Sequence, residues 1–185
     1  MAGKLNGKRV AMLVATGVEQ VEMTAPREAL EEAGAKVDLV SPMEGKVKAW
    51  KHDHWGDEFP VDVPLDEARP EDYDALVIPG GVMSPDHLRM NDKAVRFARS
   101  FMTAEKPVSS ICHGPWLLVE ADAVRGRKVT SWPSLQTDLE NAGATWLDQE
   151  VVTDHGLVTS RKPDDIPAFN RKMIEEIAEG IHAGR

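Results

Sequence analysis

Residues 106–116 read KPVSSICHGPW, and the fold turns on how they are read. Lys106 and Pro107 close a loop, Val108 to Ile111 have the length of a short buried strand, and Gly114-Pro115 leads into the helical-looking run Trp116-Leu117-Leu118-Val119-Glu120. Cys112, the only cysteine in the chain, therefore stands at a strand-to-helix junction. A sharp turn there lifts a side chain above the sheet edge and sets it near the positive end of the next helix, as in the nucleophile elbow of hydrolases. That placement lowers a thiol's pKa and favours the thiolate. A small buried residue that merely ends a strand leaves the same pattern, and these residues alone leave both readings open.

Outward from the elbow the pattern repeats. Arg9 to Ala15 (RVAMLVA) is a nearly continuous apolar run, as expected of a central parallel strand covered on both faces. Thr24-Ala25-Pro26 reads as a helix start, Gly34 as its stop, and Lys36 to Ser41 as a second strand, giving a right-handed β-α-β unit. Val47 to Trp50 and Val61 to Val63 read as short strands of a surface ribbon, with the polar stretch Lys51 to Asp57 between them as a turn. Ala75 to Ile78 is a buried strand that runs into Pro79-Gly80-Gly81, and Asn91-Asp92 caps a helix through about Thr103. The elbow helix is expected to reach about Asp122. Lys128 to Ser131 then reads as a strand, and Ser134 to Asn141 as a helix. Glu150 to Thr153 and Leu157 to Ser160 flank Asp154-His155-Gly156 as a hairpin. Pro163-Asp164-Asp165 starts the closing helix, with Ile166, Phe169, Met173, Ile177 and Ile181 as its apolar stripe. Alternating buried strands and amphipathic helices define an α/β, flavodoxin-like three-layer sandwich with a mostly parallel central sheet. At 185 residues the chain makes one domain, 1–185, with a core over about 8–181.

Composition narrows the function. A formal net charge of −9 and no basic run argue against a nucleic-acid partner. The apolar stretch from Val10 to Ala15 is too short for a membrane span or a signal-peptide core, so a cytoplasmic protein is expected. One cysteine forms no internal disulfide. No dinucleotide fingerprint or phosphate loop is present, so no cofactor is expected. His52-x-His54 with Asp53 and Asp57 lacks a second ligand cluster, so a metal is not expected either. His87 and His155 read as surface residues, His182 as part of a tail, and the five tryptophans as core and interface residues. Trp116 is also a candidate pocket wall because it follows the cysteine so closely.

In an open parallel sheet, ligands bind beyond the carboxyl ends of the strands, where strand order reverses. Three strands end there in suggestive residues: the first leads to Glu19, the second to Gly80-Gly81, the third to Cys112-His113. Glu19 is either a solvated loop carboxylate or a protonated acid donating to the Cys112 sulfur. Gly80 and Gly81 either permit a tight turn or expose main-chain N–H groups, those of Gly81 and His113, to an oxyanion beside Cys112.

SICHGP, preceded by ALVIPGG and followed by RGRKVTS, resembles the ThiJ/PfpI superfamily, specifically its PfpI-like intracellular protease and general stress protein branch. The similarity runs from about Lys8 to Ile177. It implies a fold like the class I glutamine amidotransferases, with His113 as general base beside the thiol. It also implies a third, acidic member lent by a neighbouring subunit. Asp86 falls at that position, although Ser84-Pro85-Asp86 alone reads as an ordinary turn. The acidic segment Glu19-Gln20-Val21-Glu22 stands where the family carries a similar one, which favours Glu19 as the acid on the sulfur and leaves Glu22 structural or solvated. The implied activities are on peptides, on reactive carbonyls such as methylglyoxal, or on early glycation adducts. A small pocket would suit compact carbonyls better than folded polypeptides. A redox sensor in which Cys112 is oxidised to sulfenic or sulfinic acid needs the same thiol. The resemblance also implies a homodimer, and for protease-like members a ring of three dimers.

Overall fold

The structure is a computed structural model that describes residues 3–181, so the tail residue His182 lies outside the described residues. The first strand, β1 (Arg9–Leu13), buries Val10 and Met12 on one face and Ala11 and Leu13 on the other. That two-sided burial is why it reads as an unbroken apolar run. Helix α1 (Gln20–Glu32) and strand β2 (Lys36–Ser41) complete the opening unit, β1 and β2 pairing in parallel. α1 starts four residues before the expected Thr24, and Pro26 lies inside it. Proline lacks the N–H that would bond back to the carbonyl of residue 22, and the helix continues regardless because its inner face, Met23, Pro26 and Leu30, is buried.

β3 (Lys46–Lys51) and β4 (His54–Pro60) form an antiparallel ribbon apart from the main sheet. The polar stretch expected as a turn is thus mostly strand: β4 is polar because it is exposed along its length, and only His52-Asp53 turn. Val63 leaves the ribbon and joins the main sheet in β5 (Val63–Pro64). β6 (Ala75–Ile78) is followed by α2 (Met83–Arg89) and α3 (Asp92–Thr103). Asn91 caps α3 as expected, its side-chain oxygen accepting the N–H groups of Lys93 and Ala94 at 3.0 and 3.1 Å. Asn91→Ala should cost about 1 kcal/mol in chemical denaturation, the usual loss on removing such a cap.

β7 (Val108–Ile111) and α4 (Pro115–Glu120) form the elbow, α4 ending short of Asp122. β8 (Lys128–Val129) pairs only with β9 (Thr145–Trp146), beyond α5 (Gln136–Asn141), so the expected strand is a two-residue stub outside the main sheet. β10 (Val152–Asp154) and β11 (Leu157–Ser160) make the expected hairpin, with His155 at φ 47° in its turn. In α6 (Ile166–Glu179) Ile166, Phe169, Met173 and Ile177 are buried, whereas Ile181 is exposed because Gly180 ends the helix before it.

The seven-stranded sheet has the order β10-β11-β7-β6-β1-β2-β5, all parallel except for β10. α1 and α6 cover one face and α2 to α5 the other. Each face buries its own apolar cluster, centred on Phe169 and Met23 on one side and on Phe101 and Leu76 on the other. The chain leaves β1 towards β2 and returns to β6 on the other side of β1, so the order reverses between β1 and β6. The loops after those strands are tied there, Glu19 N–H donating to the Gly80 carbonyl at 3.1 Å. Among the described residues no helix is long and apolar enough to cross a membrane.

Candidate active site

Cys112 caps β7 with φ at 63°, in the left-handed region that side chains with a Cβ avoid at a cost of about 1–2 kcal/mol. The neighbours hold it there. Its N–H donates to the Ser160 carbonyl and its own carbonyl accepts from the Trp132 N–H, both at 3.0 Å. Gly114 lets the turn close: a Cβ there would sit 2.3 Å from Ser110 Oγ and 2.5 Å from the Ile78 carbonyl. The residue is 8% exposed and opens into a cavity of about 640 Å³.

His113 is also 8% exposed, and its Nδ1 lies 3.2 Å from the Cys112 sulfur. Adjacent side chains at a turn often diverge; here the elbow folds them together. Burial lowers the His113 pKa, so the resting imidazole is neutral. The ring meets Trp116 edge-on at 5.0 Å and stacks on Trp132 at 6.1 Å. The N–H groups of Gly81 and His113 both point at the sulfur. Gly80, expected to share that task, instead gives its N–H to Glu22 Oε1 at 3.1 Å.

The acid on the sulfur is Glu22, and the expected placement of Glu19 is corrected. Because α1 begins at Gln20, Glu19 is its N-cap and points outward, where Oε2 accepts the His52 N–H at 2.9 Å. Glu22 sits one turn inside, on the buried face, wholly enclosed against the Cys112 thiol. Its Oε2 accepts no hydrogen bond. Burial first, and the nearby Glu19 charge second, push the Glu22 carboxyl up to about 8, so it is protonated at neutral pH. The expectation of a lowered thiol pKa is corrected as well. Burial, then repulsion from Glu22, push Cys112 up, and the Gly81 and His113 N–H donors only partly offset them.

Trp116 does not line the cavity. It backs the His113 ring, held by Asp138 through its Nε1 at 2.9 Å and covered by the Arg89 guanidinium at 4.2 Å. Trp132 and Trp50 form the aromatic walls instead. Asp86 is likewise absent from the lining: it lies in helix α2, not in a turn, and pairs with Arg89 at 3.0 Å. Among the described residues no three of His, Cys, Asp and Glu converge as a metal site, and His54 is paired with Asp53. Glu22 had no signal of its own in the sequence, because it shares one acidic segment with Glu19 and only a helix start at Gln20 separates the two. Trp132 had none, because it reaches the His113 ring and the Cys112 carbonyl through a loop far along the chain.

Gly80 is fixed by crowding. A Cβ there would come within 2.5 Å of Glu22 Oε1, 2.6 Å of Cys112 Cβ and 2.7 Å of the Ile111 carbonyl. Gly80→Ala should therefore destabilise the fold by about 2–3 kcal/mol through overpacking. Gly126→Ala, whose Cβ would meet nothing within 4 Å, should cost only about 1 kcal/mol for its positive φ. Urea midpoints of the two variants test the difference.

An α/β sandwich with a thiol at a strained strand-to-helix elbow, beside an imidazole and a buried carboxyl, defines a class of elbow-cysteine proteins. Residues 8–176 match the model of the DJ-1/PfpI family, and the chain belongs to that family. General stress protein 18 of Bacillus subtilis is 46% identical, covering 91% of this chain and 96% of its own length. YraA of the same organism is 43% identical over 90% of this chain and 96% of its own. Among solved structures, DJ-1beta of Drosophila melanogaster superposes with a TM-score of 0.83 at 27% identity, covering 96% of this chain and 91% of that one.

Proposed function

We propose that this chain is a stress-protection enzyme that adds the Cys112 thiol to reactive carbonyls or early glycation adducts, with peptide hydrolysis as a neighbouring activity of the same thiol. The name of the relative General stress protein 18 supports a stress-related role. The carrying observation is that the sulfur lies 3.2 Å from a neutral His113 Nδ1 with the Gly81 and His113 N–H groups aimed at it, within reach of an oxygen on a carbon bonded to it. In the addition step the thiol proton passes to Nδ1 as the sulfur–carbon bond forms, and the carbonyl π pair moves onto oxygen. The two N–H groups receive that charge, and the imidazolium returns the proton to give a neutral hemithioacetal. A resting thiol with a raised pKa needs such a base. Asp86 would orient the His113 ring of a neighbouring subunit in a homodimer or higher oligomer.

Glu22 supports a second reading, an oxidation sensor. Its protonated carboxyl, held through Oε1 by the Gly80 N–H, lies against a sulfur on which a sulfinate oxygen would accept that proton's hydrogen bond. One experiment separates the readings: methylglyoxal loss, unfolded-casein cleavage and peroxide oxidation are followed for the wild type and Cys112→Ala. Cysteine-dependent methylglyoxal loss supports the first reading, casein cleavage alone moves it to peptidase, and stoichiometric oxidation without turnover replaces it with the second.

A further inference from the structure

The cavity over Cys112 is wider and more apolar than a site for compact dicarbonyls requires. Its volume of about 640 Å³ falls within the roughly 300–1,000 Å³ range of pockets that enclose drug-sized ligands. Large apolar side chains that the fold leaves in water gather around it: Val82 is 54% exposed, Met83 40% and Trp132 39%. Trp50 faces them from the ribbon. Such side chains left uncovered around one concavity mark a ligand surface and not a random surface apolar residue. The polar groups are segregated. At the sulfur end stand the Gly81 and His113 N–H groups; at the rim Lys162 lies 4.0 Å from Asp164, and Glu19 adds a second carboxylate. Besides His52, the rim sets one lysine against two carboxylates, a balance that does not favour an anionic ligand.

We infer that this cavity selects carbonyl compounds carrying a neutral, flat apolar body, such as an aryl group, over compact or carboxylate-bearing ones. The carbonyl end of the inference rests on the chemistry proposed above; the body's fit to Trp132, Trp50, Met83 and Val82 does not. With the carbonyl oxygen at the two N–H groups, an aryl ring attached to the reacting carbon extends along the Trp132 wall and covers apolar area that a methyl group cannot reach.

Two measurements test this. Binding is followed by calorimetry on Cys112→Ser, which removes the reaction, with phenylacetamide, acetamide and phenylacetate as probes. Phenylacetamide should bind at least about tenfold more tightly than either, because burying a ring in an apolar pocket is worth at least that much. Adding Trp132→Ala should erase most of the preference. In turnover by the wild type, phenylglyoxal should exceed methylglyoxal about tenfold in kcat/KM, through KM, and Trp132→Ala should bring the ratio towards one. Equal binding of phenylacetamide and acetamide would overturn the inference. So would phenylacetamide binding that weakens as protein concentration rises, since a second copy would then cover the Trp132 wall. The calorimetric preference without turnover of either dicarbonyl would sink the carbonyl chemistry and leave the cavity's selectivity standing.

Discussion

Cys112→Ala should cut methylglyoxal turnover by at least about a thousandfold, which is about 4 kcal/mol of barrier, while leaving a folded protein. The loss is that large because no other cysteine exists in the chain and the remaining groups, the His113 imidazole and two N–H donors, can polarise a carbonyl but cannot form the bond. The fold survives because alanine keeps the φ of 63° at the same strain and only one sulfur atom leaves the core. Cys112→Gly separates chemistry from strain: it should be equally inactive, yet regain about 1 kcal/mol because glycine accepts the left-handed backbone freely. Turnover retained by Cys112→Ala would end the proposal, and equal urea midpoints for the two variants would mean the elbow is not strained.

Glu22→Gln should be more stable than the wild type at pH 8, and the gap should shrink to below about 1 kcal/mol by pH 5. The carboxyl holds its proton in the folded protein up to about 8, whereas in the unfolded chain it releases it near 4.5. Between those values the unfolded state binds fewer protons, so wild-type stability falls as pH rises, by about 1.4 kcal/mol per unit. Across the interval from 4.5 to about 8 that amounts to about 5 kcal/mol, fully recovered below 4.5. Glutamine carries no proton to lose, and its amide oxygen can still accept the Gly80 N–H now held by Oε1. Urea unfolding of both proteins at pH 5, 6, 7 and 8 checks this. Parallel curves would place the Glu22 ionisation outside the window and remove it as a protonated partner of Cys112.

The sheet was legible because its strands bury both faces: Arg9–Leu13, Ala75–Ile78 and Val108–Ile111 are each too apolar or too small-sided to lie at a surface. The elbow was legible for the same reason, since a cysteine between such a strand and Gly114-Pro115 has few other places to go. What stayed hidden depends on one turn of helix. Pro26 suggested a helix start, but burial of Met23 and Leu30 carries the helix through it, and moving the start back to Gln20 exchanges Glu22 for Glu19 at the sulfur. The thiol's raised pKa was equally hidden, because enclosure by loops from Gly81 and Trp132 is a long-range property that a local motif does not carry. The ribbon was misjudged because a strand exposed on both sides has no apolar alternation to reveal it.

That ribbon has a consequence of its own. It belongs to no larger sheet, yet it clasps the β1 loop through Gly17 N–H to Lys48 O and Trp50 N–H to Val18 O, each at 2.8 Å, and so supplies Trp50 and His52 to the cavity. Besides those two bonds the ribbon is held by the Thr16, Glu19 and Gln20 side chains and by the buried Val47 and Ala49, whereas β1 is bonded to a strand on each side. On heating, catalysis should therefore melt several degrees before the far-ultraviolet signal does, with deuterium entering Lys46–Lys51 ahead of β1.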